Sequence, residues 1–299
     1  MLISGFVISY NRGTLIETCL RSIRFVDDLV VIDKSSIDAT RVIASRIADR
    51  VITVPWSPAV EQTRVLALSH CRHDRIAFLD DDECFSVDAI RYLDRELRSG
   101  TADLYALPCR HHVLGRHEEG AYYWPERHVR AFARGALTFT PTVHGGSLFA
   151  DGATVAEPEF DSGVCFHNIS HPDASTWIEK TNRYTSQRDR NGSVSAGGGN
   201  LLADATRQLD HWIGRGGTNP SSYAQAVVVL RAIYDLVDLV KHWEQEEGHD
   251  GHALFAQTCL QLQEEYDRLE AETGVNTSRG PARPEEAVTC LPSSLSDSG

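Results

Sequence analysis

Short apolar segments alternate with segments of helical periodicity through the first hundred residues, and this alternation restricts the fold more than any other feature. The apolar segments are "LISGFVIS" (2–9), "LVVID" (29–33), "RVITVP" (50–55) and "RIAFLD" (75–80). Helical patterns follow them at 15–23, up to 47, at 57–71 and at 87–97. Continuous Val, Ile and Leu runs between helices are typical of parallel strands covered on both faces. The sequence therefore predicts an α/β, Rossmann-like fold with a mostly parallel sheet.

The rest of the chain has a different pattern. Residues 101–172 contain short strand-like runs separated by Gly, Pro and Asp, which indicate β-hairpins added to the sheet. After them the pattern is helical, with helices expected at 173–190, 199–213, 221–247 and 252–272 and a flexible link at 191–200. We therefore expect a parallel-sheet half (1–100), a β-rich half (101–172), a C-terminal helical region (173–274) and a disordered tail (275–299).

Net charge and cysteine content exclude several classes of function. The formal net charge of -13 argues against a nucleic-acid backbone or an anionic membrane surface as the main partner. The seven cysteines are dispersed without a CxxC pair, a pattern typical of reduced thiols in a cytosolic protein. No apolar run reaches the roughly 18 residues of a membrane span, and the N-terminus lacks a basic leader. We expect no membrane span, no signal peptide and a cytoplasmic location.

Polar residues end three of the predicted strands: "SYN" at 9–11, "DKSS" at 33–36 and "DDDE" at 80–83. Because ligands bind beyond the carboxyl ends of parallel strands, these residues should line one crevice. Four adjacent acidic side chains repel one another, and a divalent cation bound through Asp80 and Asp82 would offset that repulsion. A solvated turn before a helix N-terminus explains one or two of them, so we favour the metal interpretation.

Four segments together resemble a known enzyme family. They are "FVISYNRGTLIETCLRSI", "DDLVVIDKSSIDATRVIA", "EQTRVLALSHC" and "RIAFLDDDECFS". In this order and spacing they resemble the GT-A nucleotide-sugar glycosyltransferases of family 2, and within that family the bacterial lipopolysaccharide-core β-glucosyltransferase group. The resemblance covers residues 2–100 and continues more thinly through "RHVRAFARGALTFTPTVHGG" and "HNISHPDASTWIEKTNRYT".

The resemblance implies a GT-A fold in which 1–100 binds the nucleoside-diphosphate sugar and 101–172 faces the acceptor. The donor site would consist of Ser9, Tyr10, Asn11, Asp33, Arg64, Asp80 and Asp81. Asp80 and Asp82 match the two ends of the DXD motif, which holds Mn²⁺ or Mg²⁺ against the diphosphate. A late histidine, His167 or His171, would add a metal or phosphate contact, with a polar turn as the alternative role for both.

An inverting transfer also needs a base that removes a proton from the acceptor, with a pKa near the working pH. His144 and Glu126 are the candidates, although either residue could be purely structural. Two departures from the family pattern affect the acceptor side more than the donor side. Val143-His144-Gly145 stands where relatives have Val-His-Glu, and Thr63-Arg64-Val65 stands in place of a "QRN" motif.

We therefore expect a metal-dependent, inverting glycosyltransferase that uses a nucleoside-diphosphate sugar, most simply a UDP-sugar. The acceptor would present a hydroxyl, amine or thiol on a glycan, a lipid-linked intermediate, a natural product or a peptide. Two alternatives stay open. A nucleotidyltransferase would need a Gly-rich phosphate loop, but "SYNRGTLIE" has one glycine. A catalytically silent sugar-nucleotide or glycan-binding module is compatible with the missing carboxylate at Gly145.

Two further segments allow more than one interpretation. The amphipathic segment 221–247 could pack on its own domain, form a homodimer contact or lie peripherally on a membrane, and its few basic residues disfavour the last. The histidines of "CRHHVLGRH" (109–117) suggest zinc, but their spacing matches no usual ligand pattern and strand alternation separates His111 from His112. We therefore expect no zinc site here.

Overall fold

The computed structural model of the protein describes residues 1–57, 60–140, 147–186, 200–215 and 220–275. In these residues it contains eleven strands and eight helices. The strands are β1 (Ile3–Ser9), β2 (Asp28–Asp33), β3 (Arg50–Thr53), β4 (Arg75–Asp80), β5 (Glu83–Phe85), β6 (Leu104–Val113), β7 (Arg127–Ala133), β8 (Leu137–Phe139), β9 (Ser147–Phe149), β10 (Val155–Ala156) and β11 (Phe166–His171). The helices are α1 (Ile16–Ile23), α2 (Thr40–Ile47), α3 (Glu61–His70), α4 (Val87–Ser99), α5 (Ala174–Thr185), α6 (Leu201–Arg215), α7 (Ser222–Glu246) and α8 (Gly251–Thr273).

Nine strands form one sheet, whose order is β3-β2-β1-β4-β7-β6-β11-β5, with β10 added alongside β6. The first four strands are all parallel, as the βαβ pattern predicts. β7 runs antiparallel to both β4 and β6, so the added strands begin with the predicted hairpin pairing. β11 is different, because it joins β6 in parallel after a long connection and pairs antiparallel with β5. The sheet is therefore mixed beyond β4.

Apolar side chains alternate between the two faces of the parallel strands and build a core on each side. Val7 packs with α1 and α4, and its neighbours Phe6 and Ile8 pack on the opposite face with α3. The first core includes the fully buried side chains Ile16, Leu20, Leu93 and Leu97. Each such Leu or Ile contributes about 1.5–3 kcal/mol by burial. Two covered faces require continuous apolar strands, and all seven residues of β1 are buried.

Helix α4 shows how local sequence sets its limits. The Ser86 hydroxyl accepts a hydrogen bond from the backbone N–H of Ala89 at 3.0 Å, which caps the N-terminus. Gly100 ends the helix in the left-handed conformation, with φ of 71°. The cap holds the start of α4 directly after β5, close to the acidic residues.

The chain divides into two compact units, residues 1–243 and 244–299. The predicted halves 1–100 and 101–172 and the start of the helical region lie within the first unit, where β4 pairs with β7 and Trp177 of α5 packs in a cluster with Val113 and Tyr223. The second unit contains α8, which Asp250 caps by accepting the Ala253 N–H at 2.9 Å. The predicted flexible link and tail lie almost wholly outside the described residues.

Helix α7 buries its apolar side against its own chain. Tyr223, Val227 and Leu230 share a cluster with Trp177 and Tyr123. This packing supports the first interpretation of segment 221–247, while a dimer contact and a peripheral membrane contact stay predictions. Among the described residues, no helix is both long enough and apolar enough to cross a bilayer.

Candidate functional site

The carboxyl ends of the parallel strands place the predicted donor-site residues along one edge of the sheet. Ser9 at the end of β1 pairs with Asp33 at the end of β2, and Ile8 pairs with Asp80 at the end of β4. Tyr10 and Asn11 follow β1, and Asp81 and Asp82 follow β4. The convergence that the three polar strand ends predict is therefore present.

Asp80 is held by an arginine from the neighbouring helix. Arg64 Nη2, on α3, lies 2.8 Å from both carboxylate oxygens of Asp80. Burial disfavours the charged carboxylate, but the charges of Arg64 and Arg130 and the Arg64 hydrogen bonds outweigh it and lower the pKa of Asp80. Asp80 is consequently ionised at neutral pH. The resemblance predicts that Arg64 contacts the diphosphate. In the structure, Arg64 instead contacts Asp80, which is a candidate metal ligand.

Asp81 organises the loop between β1 and α1. Its carboxylate accepts hydrogen bonds from the Ser9 hydroxyl, the Tyr10 N–H and Arg12 Nε, each at 3.0 Å. Burial, reinforced by the charge of Asp82, raises the pKa of Asp81 to about 6. Through these three hydrogen bonds, Asp81 positions Ser9, Tyr10 and Arg12.

Asp82 contacts two cationic side chains that come from distant parts of the sequence. Lys180 Nζ, on α5, lies 3.2 Å from Asp82 Oδ2, and Arg12 Nη2 lies 3.4 Å from the same oxygen. Lys180 is buried, and burial lowers the pKa of its amine although Asp82 opposes this shift. Sequence reasoning did not identify Arg12 or Lys180 as site residues, because nothing local in the sequence associates either with Asp82.

The last acidic residue, Glu83, lies inside the sheet. It accepts two hydrogen bonds from Arg130, at 2.5 and 2.7 Å, and one from the Asp80 N–H at 3.1 Å. Every acidic side chain of 80–83 therefore has a basic partner from its own chain. The repulsion that motivated the metal prediction is offset without an ion, so the metal prediction has to stand on donor chemistry and position instead.

A cavity of about 430 Å³ opens beside Asp80 and Asp82. Its other lining residues are His111, Val113, Tyr122, Tyr123, Glu126, Asn168, Ser170, His171, Trp177, Lys180, Tyr184 and Arg231. The carboxylates of Asp80 and Asp82 and the imidazole of His171 are donors that Mn²⁺ and Mg²⁺ sites use, with the imidazole suiting Mn²⁺ better. The residues present therefore fit a divalent cation that also touches a ligand in the cavity.

His171, rather than His167, lines this cavity. The two residues are four apart on β11, so a regular strand would put both on one face, but the pairing of β11 is irregular between Asn168 and His171. The His167 ring lies 2.9 Å from His112 Nε2 and points away with it, so the structure does not bring His167 to the acidic residues. Burial, and then the charge of Lys180, lower the pKa of His171 to about 4, which leaves its imidazole neutral and able to bind a metal.

Asn11 and Asp33 are engaged in holding loops together. Asn11 is in the left-handed conformation, with φ of 51°, and its side-chain oxygen accepts the Ile37 N–H at 2.9 Å. Both oxygens of Asp33 face the Ser36 N–H, at 3.3 and 3.2 Å. By contrast, Tyr10 and Trp56 are 37% and 51% exposed, with ring centroids 6.0 Å apart. Trp56, which sequence reasoning missed, offers with Tyr10 an aromatic surface beside the strand ends.

Of the two candidate bases, His144 lies outside the described residues and Glu126 lines the cavity. Glu126 is 3.0 Å from His111 Nε2 and 3.4 Å from His128 Nε2. Although burial acts in the other direction, hydrogen bonds and charges from these two histidines hold the pKa of Glu126 far below its usual range. Glu126 is thus an ionised carboxylate across the cavity from Asp80 and Asp82.

Comparison with protein families matches a part of the chain that holds several residues of this site. The glycosyl transferase family 2 model matches residues 4–150. The match covers 147 of the 299 residues, just under half of the chain. The GT-A fold expected from the resemblance is confirmed by this match together with the observed sheet.

Relatives and solved structures are similar at low identity. An uncharacterized glycosyltransferase of Rickettsia bellii is 24% identical over 194 residues, which are 62% of this chain and 66% of the relative. One of Rickettsia felis is 25% identical, over 62% of this chain and 68% of the relative. The chain thus spans 66% of the first relative's length, just under two thirds.

Two solved structures also match this chain at low similarity. S. aureus TarS 1-349 in complex with UDP has a TM-score of 0.44 and 14% identity, covering 84% of this chain and 93% of that one. Glucosyl-3-phosphoglycerate synthase from Mycobacterium tuberculosis, with Mn²⁺, UDP and its product, has a TM-score of 0.30 and 23% identity, covering 37% and 44%.

The residues matched by the family model do not contain the whole site. Asp80, Asp82 and Glu126 lie within the matched residues, but His171 and Lys180 lie beyond residue 150. The strands β6 and β11 bring the two parts together, because they pair in parallel. The cavity is therefore completed by elements outside the matched span.

Proposed function

We propose that the protein is a metal-dependent, inverting glycosyltransferase that transfers a sugar from a UDP-sugar to an acceptor nucleophile. The observation that carries this proposal is that Asp80, Asp82 and His171 line one cavity at the carboxyl end of the sheet, together with Glu126. Assignment of UDP, and of the lipopolysaccharide-core β-glucosyltransferase group, rests on the four sequence motifs.

Asp80 and Asp82 would hold the metal ion, with His171 as a further ligand. When bound, a Mn²⁺ or Mg²⁺ ion would stabilise the negative charge of the departing nucleoside diphosphate. Tyr10 and Trp56 would stack on the nucleobase, because both rings are exposed and adjacent. Arg12, Arg64 and Lys180 already reach the carboxylates, so a short side-chain movement would bring their charges to the diphosphate oxygens.

Glu126 would act as the base, and His111 would share its proton. A carboxylate whose pKa is this low is a weak base on its own. His111 Nε2, 3.0 Å from Glu126, also lines the cavity and offers a second proton acceptor coupled to the first. In the inverting transfer, this pair would take the proton of the acceptor hydroxyl, amine or thiol as the nucleophile attacks the sugar carbon opposite the diphosphate. His144 remains the other candidate.

The acceptor would occupy the part of the cavity between Glu126 and helices α5 and α7. Tyr122, Trp177 and Tyr184 line it together with Arg231. Aromatic side chains pack well against the apolar face of a sugar or a ring-bearing natural product. A glycan, lipid-linked intermediate, natural product or peptide all remain acceptors within this proposal.

Calorimetry tests the donor site directly. UDP, GDP, dTDP and CMP are titrated into the protein with and without Mn²⁺, and we expect one nucleotide, UDP, to bind with an affinity that Mn²⁺ raises at least tenfold. Asp82→Asn should remove that metal dependence. Asp151→Asn, an exposed loop aspartate that loses the same charge, is the control and should behave as the wild type.

Two results would contradict this proposal. One is unchanged, metal-dependent UDP binding in Asp82→Asn, which would place the metal elsewhere. The other is no binding of any nucleotide by the wild-type protein. If UDP binds but neither hydrolysis nor transfer is detected with a panel of acceptors, the protein is a sugar-nucleotide-binding module instead.

A further inference from the structure

Three side chains with metal-binding atoms lie together on the face of β6 and β7. Each of Cys109, His111 and His128 offers one ligand atom, and these three atoms lie within 4.8 Å of one another. Cys109 and His111 are alternate residues of β6, so they project from the same face. His128, on β7, is the cross-strand partner of Leu107 and joins them from the next strand. Among the described residues, this is the one group of at least three Cys, His or carboxylate side chains whose ligand atoms lie this close together.

A carboxylate supports the two imidazoles. Glu126 Oε2 is 3.0 Å from His111 Nε2, and Glu126 Oε1 is 3.4 Å from His128 Nε2. In metal sites, a carboxylate commonly holds a ligating histidine in orientation through its second ring nitrogen. Here one carboxylate reaches both rings. With an ion bound to His111, that imidazole would no longer accept a proton, and Glu126 alone would serve as the base of the proposed transfer.

We propose that Cys109, His111 and His128 form a zinc site that is separate from Asp80 and Asp82. A thiolate and two imidazoles are a soft donor set that selects Zn²⁺ over Mg²⁺ or Mn²⁺, whereas the carboxylates of the donor site favour the hard cations. Ligand atoms around tetrahedral Zn²⁺ are roughly 3.3–3.8 Å apart, given bonds of about 2.0–2.3 Å. Because the ligand atoms lie within 4.8 Å of one another, binding needs a contraction of at most about 1.5 Å, which rotations of the two partly exposed histidines would provide.

The position of this site gives it a link to the cavity. Cys109 is 1% exposed and anchors the site in the core, while His111 and Glu126 line the cavity. The ion would replace the thiol proton, which leaves to solvent. The expectation of no zinc from residues 109–117 considered that run alone, and His128 comes from another strand.

Cobalt absorption spectra test the proposal without any need for activity. Co²⁺ bound by a thiolate gives an intense sulfur-to-cobalt charge-transfer absorption, and Co²⁺ bound by carboxylates does not. After chelator treatment, we expect one equivalent of Co²⁺ to produce this absorption in the wild-type protein and Zn²⁺ to displace it. Cys109→Ser should abolish it. Cys165→Ser removes another buried cysteine near a histidine and should retain it.

Two further variants keep the test valid if Cys109→Ser misfolds and distinguish the two proposed metal sites. If Cys109→Ser does not fold, His128→Gln, which alters a partly exposed side chain, should weaken Zn²⁺ binding at least tenfold. Asp82→Asn should keep the charge-transfer absorption, so failure of the donor-site proposal leaves this result unchanged. No charge-transfer absorption in the wild type, its persistence in Cys109→Ser, or unaltered Zn²⁺ affinity in His128→Gln would each overturn the zinc site.

Discussion

Replacing Arg130 with leucine should destabilise the sheet strongly, because it leaves Glu83 as a buried carboxylate without its cation. The Glu83 side chain is 2% exposed and that of Arg130 is 13% exposed. Removal of one partner from such a buried pair costs on the order of 3–5 kcal/mol. For a unit of this size, each kcal/mol lowers Tm by about 2–4 °C, so Arg130→Leu should lower Tm by about 6–20 °C.

Thermal unfolding followed by circular dichroism measures this effect in Arg130→Leu, Glu83→Gln and the double variant. The double variant has no lone charge, so its free-energy loss should be smaller than the sum of the two single losses by about 0.5–3 kcal/mol. Arg91→Leu breaks an exposed pair with Asp88 and serves as the control, with an expected loss of about 0–1 kcal/mol.

The pH dependence gives a second check on the same pair. Burial raises the pKa of Glu83 above its ordinary 4.5 although Arg130 opposes the shift, and removal of Arg130 raises it further. The unfolded carboxyl then loses its proton at a lower pH than the folded one, so the variant loses stability as pH rises through the folded pKa. The Tm loss of Arg130→Leu should therefore be smaller at about pH 5 than at about pH 8. Equal losses at both pH values, together with additive single losses, would refute the reasoning.

Two further predictions concern the cavity. Glu126→Gln should lower turnover about 10²–10⁴-fold with UDP affinity unchanged, as measured by transfer rates and calorimetry, and unaltered turnover would move the base to another residue such as His144. Lys180→Met should raise Mn²⁺ affinity in the absence of nucleotide, because Asp82 loses a competing cation, and should weaken binding of UDP with Mn²⁺. If calorimetry shows both affinities unchanged, Lys180 has no part in the donor site.

The sequence predicted the edge at which the site lies, for a reason that is local. Strand periodicity places the ends of β1, β2 and β4, and parallel pairing brings those ends together. The sequence alone therefore places Ser9, Asp33 and Asp80 at one edge of the sheet. The same rule of alternation predicted that His111 and His112 diverge, which the separate contacts of the two rings bear out.

The partners of the acidic residues could not be predicted in this way, because they come from far along the chain. Lys180 is 98 residues from Asp82 and reaches it through α5, whose position depends on the packing of Trp177. A choice between His167 and His171 as the metal ligand needs the strand register, since a shift by one residue exchanges the faces of β11. The register of β11 shifts between Asn168 and His171, and periodicity alone gives no indication of such an irregularity.

The charge balance of the cavity explains how one set of residues can serve both the free and the bound protein. Without ligands, Asp80 and Asp82 are neutralised by Arg64, Arg12 and Lys180. A divalent cation brings two positive charges to the same carboxylates, so it would compete with these basic side chains. A nucleoside diphosphate brings the negative charge that those side chains would then need. Metal and nucleotide should therefore each bind weakly alone and strengthen each other, by the reciprocity of coupled binding.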